Sequence, residues 1–192
     1  MSLKTNGWEI VPNLVDVSDP HFGEYYKRRA QFAQPIFNGQ VNDDKRRERN
    51  VRLRPQDLVC VKAMVERLMP CLKVSNAVLL RSLAGCSAQK LHYDFDPEAL
   101  AHLSLVPHGL LIAIEPEGAQ LDIGEQRVAI HIPQGGGLVF RGDLLHAGAA
   151  YAARNDRIHV YLDSSEFQRQ KDRTCSRVAR RLPMNKKKIK CN

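Results

Sequence analysis

The sequence Leu91-His92-Tyr93-Asp94-Phe95-Asp96 places a histidine and a carboxylate two residues apart. Alternate residues of a β-strand point to the same side of the sheet, so His92 and Asp94 would lie side by side there. A His-x-Asp pair is frequent by chance, and most histidines bind no metal. Asp96 falls on the same predicted face, but Pro97 indicates that the strand ends before it. We predict His92 and Asp94 as metal ligands and Asp96 as their neighbour, an alternative carboxylate to Asp94.

A second histidine that would complete a metal site stands about fifty residues after Asp94, in Gly142-Asp143-Leu144-Leu145-His146-Ala147-Gly148. Two histidines and one carboxylate form the facial triad that suits Fe(II) and leaves coordination positions open. Asp143 would either orient an imidazole or cap the turn before His146, and we favour the turn. His102, His108 and His131 have no partner at ligand spacing, which is typical of surface or turn histidines.

Short apolar segments surround these residues, and turn signals such as Glu117-Gly118 and the glycine-rich run 134–137 separate them. Close spacing of short strands predicts a mainly β protein with flanking helices and a jelly-roll core, rather than parallel βαβ units. The predicted strands of this core are residues 76–83, 110–114, 120–123, 127–132, 137–140 and 157–162.

The segment from Val78 to Leu162 resembles the Fe(II)- and 2-oxoglutarate-dependent dioxygenases, whose core is a double-stranded β-helix. The order and separation of four positions carry this resemblance. It implies that His92 and Asp94 are the first two iron ligands and His146 the distal one. It also implies that Arg157, on the next strand, binds the far carboxylate of 2-oxoglutarate, and that O2 takes the remaining metal position. A guanidinium suits this role because its planar fork fixes a carboxylate's orientation.

One position departs from the family pattern. Many members carry a serine two residues after the cosubstrate arginine, and here that residue is His159. On a strand, Arg157, His159 and Tyr161 share one face, which we interpret as a pocket wall, the alternative being the solvent face of an edge strand. Arg81, one strand before the His-x-Asp pair, would reach the pocket mouth or form a salt bridge with a loop. We predict Arg157, His159, Tyr161 and Arg81 as the cosubstrate-binding set.

The N-terminal third is predicted to support the β core. Apolar residues spaced by three and four indicate a helix from about Pro55 to Leu72, with Pro55 in its first turn. The densely charged stretch 42–50 has no apolar periodicity and predicts a solvated loop. Apolar residues from Trp8 to Leu14 indicate that the N-terminus docks as an extra strand. We predict one domain over residues 1–170, with helical support in 1–75 and the β core in 76–163.

The formal net charge of +8 lies in the C-terminal tail. Residues 171–192 carry nine Lys or Arg and one acid, whereas the rest of the chain has twenty of each sign. We expect residues 173–181 to be helical and 183–192 to be disordered. Such a tail serves as a nuclear-import signal, a contact to nucleic acid or to an acidic membrane, or a solubilising end.

Five cysteines without Cys-x-x-Cys spacing indicate neither a disulfide framework nor a zinc knuckle. The sequence shows no membrane-spanning run and no secretory signal, so we expect an intracellular protein, cytoplasmic or nuclear. The leading functional hypothesis is an Fe(II)- and 2-oxoglutarate-dependent oxygenase that hydroxylates or demethylates an unidentified substrate, with the basic tail favouring a protein or a nucleic acid. The alternatives are a cupin-like binding module whose tail contacts a partner, and a cupin metal enzyme that uses no keto acid.

Overall fold

The computed structural model describes residues 3–38, 41–95, 97–167 and 177–178. The strands are β1 (Trp8–Val11), β2 (Gln34–Asn38), β3 (Val41–Asn50), β4 (Lys73–Ser82), β5 (His92–Tyr93), β6 (His108–Ala113), β7 (Ala119–Ile123), β8 (Val128–Ile132), β9 (Gly137–Arg141), β10 (His146–Gly148), β11 (Asn155–Asp163) and β12 (Arg177–Val178). The helices are α1 (Leu3–Asn6), α2 (His21–Ala30), α3 (Pro55–Leu68) and α4 (Pro97–Leu100). None of these helices has the length and apolar character that crossing a bilayer requires.

Two antiparallel sheets form the core. The larger has the strand order β1-β9-β6-β11-β4-β3-β2, and the smaller has the order β12-β5-β10-β7-β8. Leu111 and Leu138 of the larger sheet pack against residues such as Ile132 of the smaller one, which closes a hydrophobic layer between the sheets. The predicted mainly β, jelly-roll core is confirmed.

The opposite face of the larger sheet is covered by helices. Val61 and Val65 of α3 and Phe22 of α2 pack in one cluster with Leu110 and Ile158 of the sheet. Strands β6 and β11 are therefore buried on both faces, which explains why they contain almost no exposed position. The long apolar run in β6 reflects this central place, because a strand buried on both sides needs no polar alternation.

The N-terminal region supplies strands as well as the predicted helices. The expected extra strand is confirmed as β1, which pairs with β9. Helix α3 ends at Leu68, four residues before the predicted end, because Pro70 disfavours helical backbone at Met69, whose φ is −147° and ψ is 63°.

The prediction of a solvated loop at residues 42–50 is wrong. This segment belongs to β3, which pairs with β2 on one side and with β4 on the other. Arg46, in its middle, is only 1% exposed. The alternation of a half-buried strand was not visible because the inward positions Arg46 and Glu48 are themselves charged.

Two further predictions need correction or fall outside the structure. His108 is not a surface or turn residue: it lies buried in β6, where its Nδ1 is 2.8 Å from the carbonyl oxygen of Val106. The basic tail was predicted to be helical at 173–181, but Arg177 and Val178 form β12, which pairs with β5. The remaining residues of the tail, which include Cys175 and Cys191, lie outside the described residues. Asp96 also lies outside them.

A buried polar cluster joins the two supporting helices. The Tyr26 hydroxyl donates to Asp57 Oδ2 at 2.6 Å, and Arg54 donates to both oxygens of the same carboxylate at 2.7 and 2.8 Å. Burial, more than the hydrogen bond to Asp57, raises the pKa of Tyr26 far above its usual range, so the phenol stays protonated and remains a donor. This cluster fixes α2 against the first turn of α3.

Replacing Tyr26 by phenylalanine should lower the free energy of unfolding by about 1–3 kcal/mol, because a buried carboxylate loses a donor. Urea unfolding measures this change. Tyr25→Phe is the matched control, since its hydroxyl makes only an exposed hydrogen bond to the carbonyl of Arg52 at 3.3 Å. Equal effects of the two substitutions would contradict the proposed importance of the cluster.

Candidate metal centre

His92, Asp94 and His146 come together between the two sheets. His92 and His146 are direct partners in the antiparallel pairing of β5 with β10, and their ring centroids are 4.5 Å apart. Asp94 follows β5, and its carboxylate lies beside the two imidazole rings. Each of the three residues is buried and offers one ligand atom, and these atoms lie within 4.8 Å of one another.

The chain around Asp94 and His146 is fixed by close packing at one glycine. The amide of Gly142 donates to the carbonyl of Pro107 at 2.8 Å, and its own carbonyl accepts from the amide of Phe95 at 3.2 Å. A Cβ at position 142 would collide with the Phe95 ring, so only glycine lets that ring pack here. The segment after the first two ligands is thereby attached to the turn before the distal ligand.

Backbone carbonyls orient both imidazoles. Nδ1 of His92 lies 2.8 Å from the carbonyl oxygen of Lys90, and Nδ1 of His146 lies 2.8 Å from that of Leu144. A carbonyl can only accept, so each Nδ1 carries the proton and each Nε2 keeps its lone pair for a ligand. This is the arrangement that metal-binding histidines use. Asp143 takes no part in it, because it forms an ion pair with Arg141 in the turn, as we had favoured.

The protonation states also suit a cation. Burial lowers the pKa of His92 to about 4, so this ring is neutral near pH 7. Burial would raise the pKa of Asp94, but the neighbouring His159 and His146 outweigh it and hold that pKa below its usual range. Asp94 raises the pKa of His146 against the effect of burial, so a metal ion competes with a proton for this ring. The centre offers an ionised carboxylate and two imidazoles whose tautomers are fixed by backbone carbonyls. This donor set fits a divalent transition metal of the two-histidine, one-carboxylate class.

Arg157 lies in the same cavity as the three ligands. It is 3% exposed, and its Nη1 donates to Ser82 Oγ at 2.9 Å. Its guanidinium lies 5.3 Å from the centroid of the Tyr151 ring. Burial lowers the pKa of Arg157, but an arginine remains charged. No carboxylate among the residues that the structure describes forms an ion pair with it, so a buried cation faces the cavity without a counter-ion.

Apolar side chains from both sheets form much of the remaining cavity wall. The polar part of the wall includes Glu48 from β3 and Gln89 from the segment before β5. The sequence analysis predicted neither as a site residue. Glu48 lay in the stretch 42–50, which was misinterpreted as a loop. The lining residues are Ile36, Glu48, Leu80, Gln89, His92, Asp94, Leu111, Leu121, Phe140, His146, Gly148, Arg157 and His159.

The sequence matches no protein-family model and no curated protein. Solved structures do share its fold. A prolyl-4-hydroxylase from Pseudomonas putida superposes with a TM-score of 0.62 at 12% identity, over 84% of this chain and 95% of that one. A Trichoplax adhaerens prolyl hydroxylase, in complex with a peptide fragment of the hypoxia inducible factor oxygen degradation domain, gives a TM-score of 0.64 at 15% identity, over 85% and 86%. HygX from Streptomyces hygroscopicus, with nickel, 2-oxoglutarate and hygromycin B bound, gives 0.61 at 12% identity, over 86% of both chains.

This chain has the fold of the Fe(II)- and 2-oxoglutarate-dependent oxygenases. The resemblance drawn from four sequence positions is thus confirmed for the fold. Within it, the predicted ligands His92, Asp94 and His146 converge, and Arg157 shares their cavity.

His159, which stands where many of these oxygenases have a serine, lies beside the metal centre. Its Nε2 is 3.3 Å from Asp94 Oδ2, and its ring stacks on Phe140 with centroids 5.8 Å apart. Gly109 on the neighbouring strand leaves room for both rings, because a Cβ there would meet both of them. His159 therefore contacts a predicted metal ligand and also lines the cavity. Its predicted contact with the cosubstrate stays a prediction.

Arg81 and Tyr161 do not line the cavity. Arg81 lies directly opposite Asp156 in the pairing of β4 with β11, and its Nε and Nη2 donate to the two carboxylate oxygens at 2.7 Å each. Leu80, which is opposite Arg157, occupies the cavity side instead. Tyr161 shares the inward face of β11 but packs in a hydrophobic cluster with Phe95. These contacts place both residues outside the cavity wall.

Proposed function

We propose that this chain is an Fe(II)- and 2-oxoglutarate-dependent oxygenase that hydroxylates or demethylates its substrate. The observation that carries this proposal is the presence, in one cavity, of three convergent metal ligands and a buried arginine without a carboxylate partner in the described chain. A metal site alone would not require the arginine. A buried guanidinium is costly unless an anion binds it, and a keto acid chelating the metal would supply that anion.

In this proposal, His92, Asp94 and His146 hold Fe(II), and Arg157 binds the far carboxylate of 2-oxoglutarate. With metal and keto acid bound, the site would supply an oxidation in which O2 gives one oxygen atom to succinate and one to the substrate, with release of CO2. Lys90 and Leu144 hold the imidazole tautomers through their carbonyls, and Arg157 fixes the orientation of the keto acid. The apolar side chains of Leu80, Leu111 and Leu121 exclude water around it.

The substrate class stays open within this proposal. HygX was solved with hygromycin B and the Trichoplax enzyme with a peptide, so proteins of this fold bind quite different molecules. Fold similarity does not choose among them. The basic tail still favours a macromolecule, as the sequence predicts. A cupin-like binding module, or a cupin metal enzyme without keto acid, would leave the buried charge of Arg157 unexplained.

Formation of succinate tests the reaction. Fe(II)-loaded protein incubated aerobically with 2-oxoglutarate should release succinate slowly even without substrate, because metal, keto acid and O2 would meet in one site. Succinate is quantified against samples that lack Fe(II) or O2. His92→Ala protein serves as the control for adventitious iron. Succinate no higher than in the metal-free sample would contradict the proposed reaction.

A further inference from the structure

Aromatic rings and guanidinium groups alternate on the surface at the end of α2. Phe32, just after this helix, is 64% exposed, and the guanidinium of Arg49 from β3 lies 5.0 Å from the centroid of its ring. The guanidinium of Arg29 lies 3.5 Å from the centroid of the Tyr25 ring. The amide of Phe32 donates to the carbonyl of Arg29 at 3.2 Å, and the Tyr25 hydroxyl donates to that of Arg52 at 3.3 Å. These contacts join the five residues into one surface, which we call the arginine-aromatic patch.

The positive charge of this patch is not balanced by acids. Among the residues that the structure describes, Arg29, Arg49 and Arg52 form no ion pair, and Glu24, the acid of α2, is paired with Arg28. Residues 1–170 carry equal numbers of acids and bases, so the patch is a local concentration of charge on a body that is neutral as a whole. Such a surface attracts a polyanion.

The exposed ring of Phe32 indicates which polyanion fits. A single-stranded nucleic acid uses both parts of the patch, because its phosphates pair with guanidinium groups and its bases stack on aromatic rings. A guanidinium that lies over an aromatic ring keeps its N–H edge available for a phosphate. An acidic peptide would use the charges but would leave the ring in water. Charge and aromatic surface together therefore favour nucleic acid over an acidic protein segment.

The patch lies close to the metal cavity, on the other side of the same sheet edge. Phe32 precedes β2, the edge strand of the larger sheet, by two residues, and Arg49 follows Glu48 on the neighbouring β3. Ile36 of β2 and Glu48 of β3 line the cavity from the inner face. A nucleic acid strand bound to the patch would thus be separated from the cavity by the sheet alone, with the edge at β2 as the shortest way between them.

We propose that the arginine-aromatic patch binds single-stranded nucleic acid, with Phe32 stacking on a base and Arg29, Arg49 and Arg52 contacting phosphates. This inference goes beyond the proposed function and does not depend on it, because none of these residues lines the cavity. It also differs from a role of the basic tail, since the patch belongs to the folded domain.

Fluorescence anisotropy of the full chain with labelled oligomers of about twelve deoxythymidines or uridines tests the proposal. Phe32→Ala should lower the affinity by roughly five- to a hundredfold, the loss expected for one stacked base. Arg49→Gln should weaken binding and also reduce its dependence on salt. One lost phosphate contact should lower the slope of log affinity against log salt concentration by about 0.7.

Two matched controls remove similar side chains elsewhere. Val128→Ala removes another exposed apolar side chain, on β8 of the smaller sheet, and Arg67→Gln removes an exposed arginine in the last turn of α3. Neither substitution should change the affinity, and circular dichroism verifies that each variant is folded.

Three results would overturn the proposal. The first is that the unmodified protein binds neither oligomer. The second is that Phe32→Ala and Arg49→Gln bind as tightly as the unmodified protein, which would assign the binding to the basic tail. The third is that a poly-glutamate peptide of equal charge competes as well as an oligomer, which would assign the patch to an acidic protein segment. Each of these results would leave the proposed oxygenase function intact, because that function rests on other residues.

Discussion

Replacing His146 by alanine should lower the affinity for divalent metal by more than about a hundredfold. Loss of residues that only orient metal ligands already costs roughly ten- to a hundredfold, and here one of three ligands is removed. Anaerobic calorimetric titration with Mn(II) measures the effect, and near-ultraviolet circular dichroism verifies that the core is intact. Removing the His146 side chain also removes a neighbour that lowers the pKa of Asp94, so a modest change in stability is expected with it.

His131→Ala provides the matched control. His131 lies on β8 of the same sheet, but its side chain is exposed and outside the metal centre. Its substitution should leave the metal affinity unchanged. Retention of tight, stoichiometric metal binding by folded His146→Ala protein would show that the metal is held elsewhere.

Replacing Arg157 by glutamine should abolish most of the affinity for 2-oxoglutarate and spare the metal. Truncating one partner of a buried, hydrogen-bonded charge pair costs about 2–5 kcal/mol, which corresponds to a loss of at least about thirtyfold. Arg157 touches none of the three predicted ligands, so Mn(II) affinity should remain. Titration of Mn(II) into metal-free protein gives the metal affinity, and titration of 2-oxoglutarate into metal-loaded protein gives the keto acid affinity.

Arg154→Gln is the control for the change in charge. Arg154 stands three residues before Arg157, and its half-exposed side chain makes only a long ion pair of 3.8 Å with Asp156. This variant should bind 2-oxoglutarate like the unmodified protein. Arg157→Lys separates charge from geometry, since a lysine keeps the positive charge but cannot form the bidentate contact. Undiminished affinity in Arg157→Gln would contradict the assignment of Arg157 to the far carboxylate of the keto acid.

The metal ligands could be predicted from sequence because local rules suffice for them. His92 and Asp94 are two residues apart, and a strand period of two brings them together. His146 followed from a recognisable glycine-flanked turn at a suitable distance. The structure adds what no local pattern contains, namely that these two segments are direct partners across the smaller sheet.

Strand register determined which residues of β4 share a face with Arg157, and it could not be predicted. Arg81 was the residue of β4 that we predicted for the cosubstrate-binding set, because its positive charge would suit the carboxylate of the cosubstrate. A shift of one residue reverses the face of every side chain in a strand. The observed register directs Arg81 to Asp156 and places Ser82 beside Arg157, 75 residues away in sequence.

Segment 42–50 was misinterpreted for a related reason. Hydrophobic periodicity detects a strand only when the buried positions are apolar. In β3 the inward positions are Arg46, which is buried, and Glu48, which lines the cavity, so their charge concealed the strand. The cavity wall is thus the part of this fold that pattern reasoning was least able to find.

The most direct test of the proposed site is an optical titration. Adding 2-oxoglutarate to anaerobic, Fe(II)-loaded protein should produce the weak metal-to-ligand charge-transfer band in the visible, because the keto acid would chelate the metal through its C1 carboxylate and ketone. The band should be absent in His92→Ala and Arg157→Ala proteins at the same keto acid concentration. A folded, Fe(II)-loaded protein that shows no band at any concentration of 2-oxoglutarate would contradict the assignment of this cavity to a keto acid.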